Sequence, residues 1–175
     1  MLVSGAGGGV SGPSGVYMEL AGRLRADGVT ALRLDYRRPN DLPECTHDVL
    51  AALDALGRRG AELAVLVGWS FGGAVVISAG AASERVVGVA TVASQTYGAG
   101  GVGELSPEKS LLLIHGTADG MLPAELSRSL YARAGEPKEL VLYPGDEHGI
   151  ARHGAQMLEK LHGWSKGLLL DGGDA

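Results

Sequence analysis

"AVLVGWSFGGAVV", residues 64–76, is the stretch whose reading decides the fold. An apolar run, Leu63–Val67, enters a Gly-Trp-Ser-Phe-Gly-Gly knot and leaves it into a second apolar run of small residues. A short continuous apolar run ended by glycine reads as a strand buried on both faces, and the small-residue run after it as a helix. Within the knot the pattern Gly-x-Ser-x-Gly sets Ser70 on a sharp strand-to-helix turn, with Gly68 and Gly72 leaving the room that turn needs. The chain holds 29 glycines in 175 residues, so the pattern can arise by accident and the flanking sequence has to support it.

Outward from the knot the same alternation recurs. Leu2–Ser4, Thr30–Asp35, Val86–Val92, Leu111–His115 and Glu139–Tyr143 join Leu63–Val67 as short apolar runs. Segments with a 3.6-residue period lie between them: Val16, Leu20 and Leu24 after Pro13; Val49, Leu53 and Leu56 after Pro43; Leu126 and Leu130 after Pro123. Proline near a first turn costs no hydrogen bond, and Gly135 fits a helix stop. A last helix is expected near Arg152–Ser165, with Leu158 and Leu161 on one stripe. Strand alternating with helix predicts a doubly wound, mostly parallel six-stranded sheet with helices on both faces. No linker or repeat divides residues 1–175, which are read as one domain with a frayed tail at Asp171–Ala175.

Composition narrows the partners. A net charge of −5 argues against nucleic acid or an anionic membrane. A lone cysteine, Cys45, cannot form an internal disulfide and suits a reducing cytoplasm. No apolar window has the length of a membrane span, and no basic start precedes an apolar run as in a secretory signal. His47, His153 and His162 have no metal-ligand spacing backed by an acid, so neither a metal nor another cofactor is expected.

In an open parallel sheet, ligands bind beyond the carboxyl ends of the strands, so functional residues should follow each apolar run. Ser70 follows one, Asp119 another in "LLLIHGTADGMLP", and His148 a third in "ELVLYPGDEHGI". Nucleophilic catalysis by serine needs all three types. The hydroxyl is a weak nucleophile, an imidazole takes its proton, and a carboxylate fixes the imidazole's tautomer. Asp119 could instead cap the turn before Pro123, and Asp146 and Glu147 are competing acids beside His148. His115, at a strand end, is read as structural, packing against the Asp119 loop.

The motifs "GWSFGG", "LLLIHGTADGMLP" and "YPGDEHG" resemble the α/β-hydrolase superfamily, most closely its small, lidless dienelactone-hydrolase-like members, from Leu2 to about Trp164. The resemblance implies Ser70 as nucleophile, His148 as general base and acid, and Asp119 as orienting carboxylate. It also implies an oxyanion hole from the backbone N–H groups of Phe71 and of Ala6 in "SGAGGG". Ser4-Gly5 stands where many relatives have His-Gly. The antiparallel hairpin that larger members place before the first strand is missing, so either this is a minimal form or the native protein starts upstream of Met1.

Trp69 flanks the serine, either packed beneath the turn or lining the substrate site. Gln95 and Tyr97, with Thr96, follow a strand and are candidate substrate-lining residues. Arg37 and Arg38 either pair locally or attract a carboxylate. The short Ala93–Lys109 connection leaves no room for a lid, which points to a small ester-type substrate: ester, thioester or lactone. Two other readings compete. Gly7, Gly9 and Gly12, with Asp35 at the end of the next run, approach a dinucleotide-binding fingerprint, although Gly12 precedes Pro13 and the triad would go unexplained. The other is a non-catalytic protein on the same fold.

Overall fold

The structure is a computed structural model that describes residues 1–171; the remainder of the tail expected from Asp171 lies outside the described residues. Among the described residues six strands form one sheet in the order β2-β1-β3-β4-β5-β6, every neighbouring pair parallel. They are β1 Leu2–Val3, β2 Arg33–Leu34, β3 Ala64–Trp69, β4 Val86–Val92, β5 Ser110–Gly116 and β6 Lys138–Tyr143. The helices are α1 Tyr17–Ala26, α2 Leu42–Gly57, α3 Phe71–Ala81, α4 Glu125–Arg133 and α5 Gly154–Lys166.

The continuous apolar runs are explained by burial on both faces. On β5, Leu111 and Leu113 join the core that holds Val49 of α2, Val75 of α3 and Leu130 of α4. Leu112 and Ile114 point the other way, into the core with Leu20 of α1 and Met157 of α5. Each such fully buried aliphatic side chain contributes about 1.5–3 kcal/mol.

Several boundaries shift from the sequence expectation. The first two strands, β1 and β2, shrink to two residues each, so Ser4 and Asp35 stand in loops rather than strands. Pro13 does not open α1: it sits in a separate 3-10 turn, Pro13–Gly15, because Gly12, Ser14 and Gly15 all take positive φ. Pro43 does lie at the start of α2, where Asp41 caps the helix by accepting the Glu44 amide at 3.2 Å. Gly135 follows α4 without positive φ. Its want of a side chain instead admits Ser106, whose Oγ would lie 2.4 Å from a Cβ there. Between β4 and β5 there is one 3-10 turn, Gly100–Glu104.

The strand order reverses its winding between β1 and β3, which opens a crevice at the carboxyl edge. The loop after β1 and the turn after β3 meet there.

Candidate functional site

Ser70 sits between β3 and α3 with φ 58° and ψ −122°, a left-handed conformation that a side chain adopts only under strain of order 1–3 kcal/mol. The surroundings hold it. Its amide donates to the Val92 carbonyl at 2.8 Å, and its carbonyl accepts from Gly73 at 2.9 Å. A Cβ on Gly68 would lie 2.1 Å from the Gly72 carbonyl oxygen, and one on Gly72 would lie 2.3 Å from that of Ser4. Both glycines are therefore forced by close backbone approach. Gly5 packs against Ser70 itself, a Cβ there lying 3.3 Å from the serine Cβ.

Asp119 and His148 come together because their loops interlock. Thr117 donates to Tyr143 O at 3.0 Å and Ala118 to Asp146 O at 2.8 Å. Gly116 admits that contact, since a Cβ there would lie 2.3 Å from the Asp146 carbonyl oxygen. His148 Nδ1 then stands 2.7 Å from Asp119 Oδ2. A carboxylate accepts, so Nδ1 carries the proton and Nε2 is left as an acceptor, the tautomer a general base requires.

The Asp119 carboxylate is fully buried, its other oxygen accepting the Met121 and Leu122 amides at 2.9 Å each. Burial pushes its pKa up, but the Leu122 amide, His148 and the Met121 amide outweigh that and hold it below the ordinary aspartate value. The capping role and the pairing with His148 thus coexist on two oxygens of one side chain. His115 is buried and structural, as expected. Its Nε2 donates to Leu122 O at 2.8 Å, its Nδ1 lies 2.6 Å from Ser127 Oγ, and Asp119 Oδ2 lies 3.2 Å from the ring. Asp146 is committed elsewhere, to the Arg152 amide at 2.8 Å and to His153 Nδ1. Glu147 is exposed.

Ser70 and His148 lie on adjoining elements, yet among the described residues no hydrogen bond joins Ser70 Oγ to the imidazole. The link between them is Trp69. Its ring centroid is 5.5 Å from that of His148, and its Nε1–H donates to the His148 carbonyl at 3.1 Å. Phe71 is the first residue of α3, so its N–H has no intrahelical acceptor. Ala6 is exposed in the loop after β1, which the Tyr36 hydroxyl fastens through Ser4 O at 3.1 Å. Ser4 Oγ accepts the Gly12 amide at 3.3 Å, which gives the residue in the His-Gly position a loop-bracing task.

Beside the turn an open cavity of about 450 Å³ is lined by Asn40, Leu42, Pro43, Phe71, Gln95 and Tyr97. Tyr97 is 80% exposed, and Gln95 Nε2 donates to its carbonyl at 2.9 Å. Arg37 is paired with Asp48 and, at 3.4 Å, Glu44. A second cavity, about 350 Å³, lies at the amino edge of the sheet, and neither Ser70 nor His148 lines either cavity. Asp35 turns back on the glycine loop, accepting the Gly9 amide at 2.6 Å and that of Tyr36 at 3.0 Å. The acid of the dinucleotide fingerprint thus binds the loop's own backbone. Gly12 lies outside α1, where a Cβ would strike the Tyr17 ring at 2.3 Å.

Sequence reasoning missed Ser14, whose Oγ–H donates to Gly149 O at 2.8 Å across 135 positions, and nothing in the local sequence marks that contact. Among the described residues no group of three or more His, Cys, Asp or Glu could hold a metal ion, and no helix is long and apolar enough to cross a membrane.

Comparison with known proteins agrees with this architecture. The sequence model described as the alpha/beta hydrolase family matches residues 1–168. The uncharacterized protein YfhR of Escherichia coli K12 is 36% identical over 115 residues, covering 62% of this chain and 39% of its own length. This chain therefore spans about two fifths of that relative. Among solved structures, a dienelactone hydrolase from Anabaena variabilis superposes with a TM-score of 0.80 at 18% identity, covering 93% of this chain and 82% of its own. Est1E from Butyrivibrio proteoclasticus does so with a TM-score of 0.77 at 17% identity, over 93% and 84%. At these identities the likeness is one of fold.

Proposed function

Since the chain belongs to the alpha/beta hydrolase family, we propose that it is a serine hydrolase that cleaves a small carboxylic ester, thioester or lactone through an acyl-enzyme on Ser70. The observation that carries the proposal is the Asp119–His148 pair at 2.7 Å, its carboxylate buried, set on loops beside the strained turn that presents Ser70. His148 Nε2 takes the Ser70 proton as Oγ attacks the carbonyl carbon, and Asp119 stabilises the imidazolium that forms. The amides of Phe71 and Ala6 receive the developing oxyanion, a term worth a few kcal/mol per donor. His148 then protonates the leaving alcohol or thiol, and a water repeats the sequence to release the acid. The missing Ser70–His148 hydrogen bond is compatible with this chemistry, because such bonds tighten in the substrate complex.

The cavity beside Phe71 supports a small substrate, with Gln95 and Tyr97 at its wall. Pairing of Arg37 with Asp48 and Glu44 removes it as a carboxylate anchor. The lone Cys45 and the net charge of −5 favour a cytoplasmic enzyme acting on a small molecule rather than on nucleic acid or membrane. The test is hydrolysis of p-nitrophenyl acetate together with labelling by a fluorophosphonate. Ser70→Ala should abolish both while circular dichroism is unchanged. Hydrolysis by the alanine variant at the parent rate would overturn the assignment.

A further inference from the structure

His148 and Gly149 are the two central residues of a tight turn, closed by the Ile150 amide donating to Glu147 O at 3.0 Å. The closing bond leaves the two central carbonyls without a partner inside the turn. Each finds one on a different element, far away in sequence. His148 O accepts from the Trp69 indole at 3.1 Å, and Gly149 O accepts from the Ser14 hydroxyl at 2.8 Å. The turn ends on Ile150, which is fully buried and holds φ 52°, a conformation that a β-branched residue takes only when its surroundings impose it.

The origin of the two donors matters more than their number. Trp69 is the residue directly before Ser70 at the end of β3. Ser14 lies in the segment after β1 that also carries Ala6, and it too holds a positive φ, 47°. The backbone beneath the imidazole is thus tied at one point to the strand presenting the nucleophile and at the other to the loop presenting the second oxyanion amide. The Asp119 carboxylate fixes the ring from its Nδ1 side. A base gripped only by that carboxylate could swing with its loop. One gripped by two carbonyl anchors as well keeps Nε2 in register with Ser70.

We infer that Trp69 and Ser14 are positioning residues that hold His148 in register with Ser70 by anchoring the carbonyls of His148 and Gly149, and that Trp69 acts through this bond rather than as a wall of the substrate site. The inference rests on the serine-hydrolase reading for its effect on rate, but its geometric part stands without it. Trp69→Phe keeps a ring and removes the donor. Ser14→Ala removes the other donor at an exposed position.

Two readouts apply to each variant and to the parent. The first is exchange of the His148 Nδ1 proton by NMR, which reports how firmly the ring is held irrespective of turnover. Both variants should speed this exchange. The second is steady-state hydrolysis of short p-nitrophenyl esters. Trp69→Phe should lower kcat about tenfold, and Ser14→Ala several-fold, with KM unchanged, the size expected for one lost anchor. Unchanged proton exchange in both variants overturns the inference. So does a KM that rises with acyl length while kcat holds, which would make Trp69 a substrate wall. Faster exchange in a protein whose parent hydrolyses nothing would sustain the anchoring and sink only the hydrolase reading. Should Trp69→Phe not fold, Ser14→Ala carries the test on both readouts.

Discussion

Two carboxylate–imidazole pairs stand on neighbouring loops at the carboxyl edge of the sheet, and they are alike in almost every local respect. Asp119 accepts from His148 Nδ1 and from the amides of Met121 and Leu122; Asp146 accepts from His153 Nδ1 and from the amide of Arg152. Both carboxylates are buried. Burial raises each pKa, and the hydrogen bonds outweigh it and hold each below the ordinary aspartate value. The difference lies in what faces the ring. His148 has Trp69 beside it, one residue from Ser70, whereas His153 stacks on Tyr143 at 5.2 Å and marks the start of α5. An Asp–His pair by itself is therefore a structural device as readily as a catalytic one. Under the proposed function, its neighbour across the crevice separates the two roles.

The sharpest way to break this comparison is to exchange each acid for its amide. Asp119→Asn, which lets the amide donate and favours the wrong imidazole tautomer, should lower kcat by about three to four orders of magnitude. Asp146→Asn should change kcat by less than about tenfold, and cost stability instead, of order 1–3 kcal/mol, through the buried groups left mismatched. Ester hydrolysis and urea denaturation of the two variants separate the outcomes. A larger catalytic loss from Asp146→Asn would assign the acid to the wrong loop.

A smaller effect concerns acid. For a carboxylate whose pKa is depressed by folding, the unfolded chain binds the proton more readily, so stability is in place above the ordinary aspartate value of about 4 and drains as pH falls through the depressed folded value. Both pairs should contribute. Unfolding free energy measured by denaturant between pH 7 and pH 3 should decline at the acid end. The decline should be shallower in Asp146→Asn, while the activity of that variant at neutral pH persists. An acid limb of unchanged slope would remove Asp146 from the account.

The smallest effect is expected at His153 itself. His153→Gln retains a polar partner for Asp146 but loses the stack on Tyr143. Its kcat should stay within about twofold of the parent, as for ordinary partly exposed substitutions. A loss comparable with that of His148→Gln would show the two imidazoles to be functionally equivalent.

Much of this was legible from one dimension because the signals are local. Ser70 is marked by glycines at 68 and 72, and the reason is that a Cβ at either position would lie 2.1–2.3 Å from a backbone carbonyl oxygen, which any sequence forming this turn must avoid. The alternation of apolar runs and 3.6-residue periods specified a two-faced parallel sheet because a strand covered on both sides has no polar positions to spare. The rule that ligands gather beyond the carboxyl ends of strands then singled out Asp119 and His148.

Other features stayed closed to that reading. The 3-10 turn at Pro13 depends on positive φ at Gly12, Ser14 and Gly15, which composition does not specify. The partner of Asp35, a fingerprint acid by spacing, is the Gly9 amide of the glycine-rich loop after β1.

The sequence by itself determined the sheet, the strained serine and the set of acids and imidazoles at its carboxyl edge, because glycine spacing and apolar period act within a few residues. Only the tertiary structure decided which acid meets which imidazole, and that Trp69 and Ser14 grip the turn carrying His148. Those choices depend on how loops far apart in sequence interlock, Ser14 and Gly149 across 135 positions among them, and hydrogen bonds between such loops leave no periodic mark on the chain.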